Sequence, residues 1–283
     1  MISKQEVFEQ ANINNLPANT IEKDYVLNWV LAGIAASNIL HGKWIFKGGT
    51  CLKKCYFKSY RFSEDLDFTI IDSEFLDVQK LVIQFGDIAT WIYNHSGIEV
   101  PHDKISFEKY NNPRGNLAID GKIPFKGPLQ RRGNFPTIKL NLTLDEILVE
   151  KPIQVKVYHP YSDGNILIDS VYCYSLEEIF AEKLRALLER MSPRDLYDVV
   201  NLFFDERWEI KHDNVLSILK KKCHFKNIAV PTLEQVEASP DKRDLVADWN
   251  DMLSHQIADL ESFEHYWERL PTVFNWLFSE GNV

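Results

Sequence analysis

A glycine pair between a short predicted strand and a predicted helix limits the possible fold and function of this chain more than any other feature. Residues 44–46 form an apolar run that predicts a strand, and the run ends in Lys47-Gly48-Gly49-Thr50. Residues 50–57 then show a helical pattern. Two glycines at this place let backbone N–H groups approach an anion, and Thr50 adds a hydroxyl. The turn is a candidate for phosphate binding, and a plain tight turn is the alternative.

Two aspartates follow at alternate positions of the next predicted strand, residues 65–71. Strand side chains alternate between faces, so Asp65 and Asp67 point one way while Leu66 points the other. About 7 Å separates the two carboxylates, and a divalent cation that bridges them to substrate phosphates relieves their repulsion. A solvated edge strand is the simpler explanation of the pair alone. The pair beside a phosphate turn indicates an enzyme that handles nucleotides.

The remaining pattern predicts an α/β part followed by an all-helical part. Helices are predicted at residues 21–37, capped by Asn19-Thr20, and at 73–95, and strands at 104–110, 116–124, 137–143 and 154–159. After Ser175 the pattern is helical, at residues 176–190, 193–204, 213–222, 241–258 and 263–278. We therefore predict domains of residues 1–172 and 173–283.

Composition narrows the class of protein. The chain has 283 residues, 45% of them apolar, and a formal net charge of −9, which argues against a general polyanion binder. Its four cysteines form no C-x-x-C and have no histidine at metal-ligand spacing, as is typical of a reduced protein. With no apolar leader and no apolar run long enough to span a bilayer, we expect a soluble cytoplasmic protein.

The clearest predicted helix, residues 176–190, carries Lys183 and Arg190 on one side with Ala186 between them. Two aligned cations suit a triphosphate clamp, and two solvated surface cations are the alternative. The next helix opens with Ser192 as a predicted N-cap and Asp195 completing a capping box. Asp198 lies four residues after Arg194 and could pair with it.

Two segments resemble motifs of the AbiEii-type nucleotidyltransferase toxins, which belong to the DNA polymerase β-like superfamily. The first joins the Lys47–Thr50 turn to Arg61-Phe62-Ser63-Glu64-Asp65-Leu66-Asp67-Phe68, and the second is E-K-L-R-A-L-x-x-R-x-x-x-R-D-L-Y-D, which ends at Asp198. The resemblance covers most of residues 40–205. It implies a polymerase β-like nucleotidyltransferase domain with a mixed sheet, followed by an all-helical C-terminal domain that completes the nucleotide site.

The resemblance also implies roles for individual residues. Asp65 and Asp67 would bind Mg²⁺ or Mn²⁺, and with Lys183 and Asp195 they would be the catalytic residues. The NTP would be contacted by the turn and its neighbours: Lys47, Gly48, Gly49, Thr50, Ser63, Arg190 and Asp198.

One position departs from the superfamily pattern. A third carboxylate usually stands on a later strand, and the matching position here is Asn141, which is neutral and a poor general base. Three explanations stay open: Asp145 or Glu146 substitutes, the third carboxylate is dispensable, or catalysis is weakened.

The implied activity is transfer of NMP from an NTP to an RNA, the tRNA 3′ end in particular, by the toxin of a toxin–antitoxin or phage-defence pair with a cognate antitoxin. Two basic patches could hold RNA, or be ordinary solvated loops: Arg114, Lys122, Lys126, Arg131 and Arg132 with Phe125 and Phe135 for stacking, and Lys220, Lys221, Lys222 and Lys226. A phosphotransferase on the same fold and a nucleotide-binding module without catalysis are the alternatives.

Overall fold

The computed structural model describes residues 1–71, 77–112, 114–131, 133–164 and 170–279. These divide into two compact units: the first has Met1–Glu146 with Pro152–Cys173, and the second has Ile147–Lys151 with the described residues from Tyr174 onward. The first residues of the predicted helix at 73–95, and Arg132 of the first basic patch, lie outside the described ranges.

Over the described residues, seven strands form one mixed sheet in the first unit, which confirms the predicted fold class. The strands are β1 (Trp44–Lys47), β2 (Asp65–Ile70), β3 (Ser106–Asn111), β4 (Leu117–Pro124), β5 (Thr137–Thr143), β6 (Ile153–Lys156) and β7 (Ser170–Cys173). Their order is β3-β4-β5-β2-β1-β7-β6, with parallel pairs β2–β5 and β1–β7. The sequence analysis did not predict β7.

The helices of the first unit are α1 (Lys4–Asn14), α2 (Ala18–Ala36), α3 (Gly48–Cys51) and α4 (Val78–Ser96), with a π-helical turn at Leu52–Tyr56 and a 3₁₀ turn at His102–Lys104. The N-cap of α2 is Pro17, so the predicted cap by Asn19-Thr20 is wrong. The predicted helix at 50–57 begins earlier, at Gly48, and widens into the π-turn.

Helix α4 covers the apolar face of the sheet because its buried residues recur at helical spacing. Leu81, Phe85, Ile88 and Ile92 are buried, and the Phe85 ring lies 5.8 Å from Trp44 and 5.0 Å from Phe107. Asp77 caps the helix by accepting from the N–H groups of Gln79 and Lys80, and Gly97 ends it in the left-handed conformation. The polar side chains of β2, β4 and β5 are left on the opposite face.

The second unit is helical, as predicted: α5 (Leu176–Arg190), α6 (Pro193–Phe203), α7 (His212–Phe225), α8 (Leu233–Glu237), α9 (Lys242–Leu253), α10 (Phe263–Trp267) and α11 (Leu270–Leu277). Ser175 caps α5 by accepting from the N–H of Glu178. The Glu178 carboxylate in turn accepts from the N–H groups of Val149 and Glu150 at 2.9 and 3.1 Å, which joins Ile147–Lys151 to this unit. The predicted helix at 263–278 is two helices, and α8 was not predicted.

None of the helices in the described part of the chain is both long and apolar enough to cross a membrane.

Candidate active site

The two predicted metal ligands lie on the polar face of β2. Asp65 and Asp67 are half-buried, whereas Leu66 and Phe68 between and after them are 0% and 1% exposed. The strand is therefore fixed by its apolar side chains, which leaves both carboxylates on the side that the alternation predicts.

The register of the sheet extends this acidic face into a row. Asp67 is paired with Lys47 on β1 and with Asn141 on β5, and Asn141 is paired with Asp120 on β4. Directly opposed residues share a face, so these four side chains lie side by side across the sheet. Within the row, the Asn141 amide donates a 2.8 Å hydrogen bond to Oδ1 of Asp67.

Asp120 is a candidate functional residue that the sequence analysis missed. It is exposed, and its charge acts on the Tyr110 hydroxyl of the neighbouring strand β3. Partial burial raises the pKa of Tyr110, and the negative charges of Asp120 and, more weakly, Asp67 add to the effect. Alternation within the predicted strand at 116–124 could have put Asp120 on a polar face. No local signal could have placed β4 beside β5.

The predicted substitutes for a third carboxylate lie elsewhere. Asp145 follows the end of β5 and accepts a 2.9 Å hydrogen bond from the Asn112 amide, and Glu146 is 9% exposed. Neither residue belongs to the row that contains Asp67. Asp120 is the carboxylate that occupies the neighbouring position.

The glycine turn is packed against functional side chains. Gly48 has φ of +80°, and a Cβ there would overlap the Asp67 carboxylate at Oδ2. A Cβ at Gly49 would overlap the guanidinium of Arg61, a side chain that is only 3% exposed. Glycine is favoured at Gly48 by its positive φ, and at Gly49 a Cβ would have to displace the Arg61 guanidinium. Arg61 belongs to the quoted motif, but its place under the turn was not predicted.

Thr50 ties the turn to the acidic strand. Its hydroxyl donates a 2.5 Å hydrogen bond to the backbone oxygen of Asp65, and its side chain is completely buried. The predicted donation from Thr50 to phosphate is therefore corrected: the hydroxyl proton is used within the protein, and the residue positions Asp65. Ser63 is half-buried in the irregular segment just before β2, and Lys47 is 8% exposed in β1.

The donor set of this face fits a divalent cation that shares its ligands with a substrate. Carboxylate oxygens are the ligands that Mg²⁺ prefers, and Mg²⁺ is commonly held by one or two carboxylates together with substrate phosphates. Within the described ranges, the carboxylates of this face do not form a group of three with all oxygens within 4.8 Å. The protein would therefore supply two ligands, Asp65 and Asp67. Phosphate oxygens and water would supply the remaining ligands.

In the second unit, the residues of the later motif form a buried ionic cluster. Lys183, on α5, contacts Asp195 at 3.0 Å and Asp198 at 2.7 Å, both on α6 and both 0% exposed. Arg190 approaches Asp195 with Nε at 2.5 Å and a second nitrogen at 3.0 Å. Burial opposes ionisation of Asp195, but the charges and hydrogen bonds of Lys183 and Arg190 hold its pKa well below the ordinary range.

This cluster corrects two interpretations of the sequence. Lys183 and Arg190 are not a pair of uncommitted cations, because both are bound to Asp195. Ser192 is the N-cap of α6, but its side chain makes no capping hydrogen bond, so the predicted capping box is wrong. Asp195 is held by cations because the turn between α5 and α6 folds its side chain back onto α5.

The structure also revises the basic patches. Lys222 is completely buried and pairs with Glu178 at 3.0 Å and Glu182 at 3.4 Å, so it cannot contact RNA as predicted. Phe125 is 1% exposed and cannot stack on bases. In the first patch, Lys126 pairs with Glu99 at 3.4 Å and Arg131 with Glu22 at 3.5 Å.

The candidate site therefore consists of paired aspartates on a mixed sheet beside a strand–turn–helix glycine pair. The model of the family described as "Nucleotidyl transferase AbiEii toxin, Type IV TA system" matches residues 29–270. The chain belongs to this family and is a nucleotidyltransferase of the toxin class.

Solved structures share the fold. The nucleotidyltransferase toxin MenT4 from Mycobacterium tuberculosis H37Rv superposes with a TM-score of 0.69 and 16% identity, over 100% of this chain and 91% of that one. JHP933 from Helicobacter pylori gives a TM-score of 0.56 and 17% identity over 93% of each chain. Comparison with curated protein sequences gave no match.

Proposed function

We propose that this enzyme transfers NMP from an NTP to the 3′ hydroxyl of an RNA, the tRNA 3′ end in particular. It would do so in the cytoplasm with Mg²⁺ or Mn²⁺, as the toxin of a toxin–antitoxin or phage-defence pair whose cognate antitoxin restrains it. The observation that carries the proposal is the placement of Asp67, which lies against the glycine turn at Gly48 and in register with Asn141 and Asp120.

Asp65 and Asp67 are the residues that would hold the metal ion. When bound, the ion supplies positive charge to the phosphate oxygens on which negative charge develops. Thr50 fixes the backbone of Asp65, and Asn141 fixes the carboxylate of Asp67, so both ligands are held before substrate arrives. The turn at Gly48 and Gly49 brings backbone close to these ligands, which supports binding of the triphosphate there.

Asp120 is proposed as the general base. In the reaction, the acceptor 3′ oxygen forms a bond to the α-phosphorus, the bond from phosphorus to pyrophosphate breaks, and the hydroxyl proton passes to a base. Asn141 is neutral and cannot accept that proton. Asp120 is the exposed carboxylate paired with Asn141, so it can perform the step that the amide cannot.

The acceptor strand would be bound by lysines of the same face. In the row beside Asp67, Asp65 is paired with Lys139, and Lys139 is paired with Lys122. Both lysines are exposed, and their charge next to the carboxylates suits RNA phosphates. The sequence analysis had included Lys122 in the first basic patch, and its register on β4 puts it next to the proposed catalytic row.

Lys183 is proposed to contact the nucleotide, with Asp195 and Asp198 as positioning residues. Two buried carboxylates hold its ammonium group in one direction, which costs less entropy on binding than ordering a mobile lysine. Arg190, which also binds Asp195, has a side chain that is 62% exposed.

The test is incubation of the purified protein with each α-labelled NTP, Mg²⁺ and total RNA, followed by separation of the RNA. We expect one NTP to label an RNA band and an equal amount of pyrophosphate to be released. The Asp65→Ala variant should lose both signals and the growth arrest of cells that express it. Asp87→Ala, an exposed aspartate on α4, is the matched control.

Release of labelled NDP, with no label on the RNA, would replace nucleotidyl transfer by phosphoryl transfer. Full labelling by Asp65→Ala would remove Asp65 from the mechanism.

A further inference from the structure

Three of the four cysteines of the chain meet in the first unit. The sulfur atoms of Cys51, Cys55 and Cys173 all lie within 4.8 Å of one another. Cys51 and Cys173 are 0% exposed, and Cys55 is half-buried. No local spacing in the sequence reveals this group, because Cys173 comes from a strand far along the chain.

Two elements of the fold bring the three sulfur atoms together. Cys51 ends α3 and Cys55 follows in the π-turn, so the two project from the same side of one helical segment. Cys173 is the last residue of β7 and is paired with Phe46 on the parallel strand β1. The Tyr56 hydroxyl lies 3.6 Å from the Cys173 sulfur.

The chemistry of the group favours a soft cation. The three sulfur atoms face one another in a largely buried setting, in which only Cys55 is half-buried. Thiolate sulfur selects Zn²⁺ and Cu⁺ over the hard ions that carboxylates bind.

We propose that Cys51, Cys55 and Cys173 bind a thiophilic metal ion, Zn²⁺ or Cu⁺, at a structural site separate from the aspartate pair. Across the described residues, no histidine or carboxylate joins the three sulfurs within 4.8 Å. The protein thus supplies three ligands, which suits trigonal Cu⁺ directly and Zn²⁺ with water as a fourth ligand. Cysteine binds Zn²⁺ as the thiolate, so binding releases the remaining thiol protons to solvent.

The position of the site gives it a consequence for the enzyme. The helical segment that carries Cys51 and Cys55 starts at Gly48, and β1, beside β7, ends at Lys47. A metal ion on the three sulfurs would fasten the segment after the glycine turn to β7. Metal occupancy should therefore stabilise the unit that contains the turn.

The test uses the full chain, purified with reductant, stripped with chelator and then titrated with Co²⁺ as a spectroscopic probe for Zn²⁺. We expect about one Co²⁺ per chain with sulfur-to-cobalt charge-transfer absorption, displaced by Zn²⁺, and a rise in the melting temperature. A parallel competition of the reduced protein against a colorimetric Cu⁺ chelator identifies Cu⁺ as the preferred ion if only that arm shows binding.

Single cysteine variants distinguish the proposed metal ligands from a cysteine outside the group. Changing an outer residue of a metal site costs about 10–100-fold in affinity, so removing a direct ligand in Cys173→Ala or Cys55→Ala should cost more than about 100-fold. Cys223→Ala, which changes a cysteine of α7 that is also about 1% exposed, should bind as the unaltered chain does. Cys55→Ala, at the half-buried position, keeps the test valid if Cys173→Ala does not fold.

The proposal is overturned if neither Co²⁺ nor Cu⁺ binds the reduced chain, or if affinity is equal in Cys55→Ala and Cys223→Ala. Detection of a disulfide among the three cysteines in a protein that binds no metal would overturn it as well. Asp65→Ala should retain the site, so failure of the proposed nucleotidyl transfer leaves this result unaffected.

Discussion

The side-chain amide of Asn141 donates a hydrogen bond to Oδ1 of Asp67, while Oδ2 of the same carboxylate lies against Gly48. A neutral residue thus orients one proposed metal ligand toward the glycine turn. The position carries no negative charge, in contrast to the third carboxylate that the resemblance implies there. The arrangement explains how the carboxylate of Asp67 is held in place. It also makes Asp120 the candidate for the third carboxylate.

Restoring the acid with Asn141→Asp should tighten metal binding and weaken the metal-free protein. The change removes a hydrogen-bond donor and adds a like charge beside Asp67, which should cost about 1 kcal/mol of unfolding free energy without metal. The Mg²⁺ concentration that gives half-maximal activity should fall several-fold. Metal titration and urea unfolding measure the two effects, and Asn141→Ala separates loss of the donor from gain of charge. An unchanged metal requirement contradicts the proposed placement.

Removing the proposed base with Asp120→Asn should lower kcat by about 100-fold or more, because general-base catalysis contributes about 10²–10⁴-fold. The KM for NTP should change little, since Asp120 is not among the proposed nucleotide contacts. Single-turnover kinetics over a pH series provide the measurement, with Asp87→Asn as the control. Partial recovery in the Asp120→Asn, Asn141→Asp double variant would show that either position can hold the acid. Normal turnover by Asp120→Asn would exclude it as the base.

Gly48→Ala should abolish activity, and Gly115→Ala should not. Both glycines have φ of +80°, so each substitution places a side chain in a strained backbone at a cost of about 1 kcal/mol. Only at Gly48 would the new Cβ displace the Asp67 carboxylate, because Gly115 has open space around it. The melting temperature should fall by a similar amount in both variants. RNA labelling should be lost only in Gly48→Ala. Equal activity would mean that the contact with Asp67 is unimportant.

Asp195→Asn should reduce stability by about 2–3 kcal/mol at neutral pH, because Lys183 and Arg190 lose a buried charged partner. The pKa of this carboxyl is lowered in the folded state, so its contribution is complete above its unfolded pKa near 4 and is lost as pH falls through the folded value. Urea unfolding should therefore show a difference between variant and parent that is large near pH 7 and smaller in acid. Asp248→Asn, exposed on α9, should show little difference at either pH. If the difference in unfolding free energy between Asp195→Asn and the parent does not change with pH, the ionic cluster is contradicted.

Lys53→Met should stabilise the protein near pH 7. Burial, reinforced by the charge of Lys54, lowers the pKa of Lys53 to about 8. Its ammonium is retained at neutral pH despite the cost, which packing of the ammonium 3.7 Å from the Phe62 ring centre only partly offsets. We expect a gain of about 1 kcal/mol.

Between about pH 8 and the unfolded pKa near 10.4, the unfolded state binds more protons at Lys53, so parent stability rises with pH at this residue. The advantage of Lys53→Met should therefore shrink over that window. Unfolding free energies at both ends of the window provide the measurement, and the exposed Lys58→Met should show no such trend. A variant less stable than the parent near pH 7 would contradict the burial argument.

Local patterns predicted much of the architecture. Helix α5 spans residues 176–190 as its helical pattern predicts, and the strand at 137–143 matches β5 because its alternation is strict. Predictions were wrong where a residue type that often caps helices occupies a different position or makes no capping bond. Asn19 and Thr20 are good capping residues but lie inside α2, and Ser192 is an N-cap without the side-chain bond that defines a capping box.

The candidate site shows the same difference between what local sequence predicts and what it cannot predict. The sequence by itself determined that Asp65 and Asp67 share a face and that a glycine turn precedes them, because strand alternation and the absence of a Cβ are properties of adjacent residues. Only the tertiary structure decided that Asp120 lies opposite Asn141, that Lys183 is held by two carboxylates, and that three cysteines meet. Those neighbours follow from strand order, register and helix packing, which bring together residues far apart in the chain and leave no local periodicity to read.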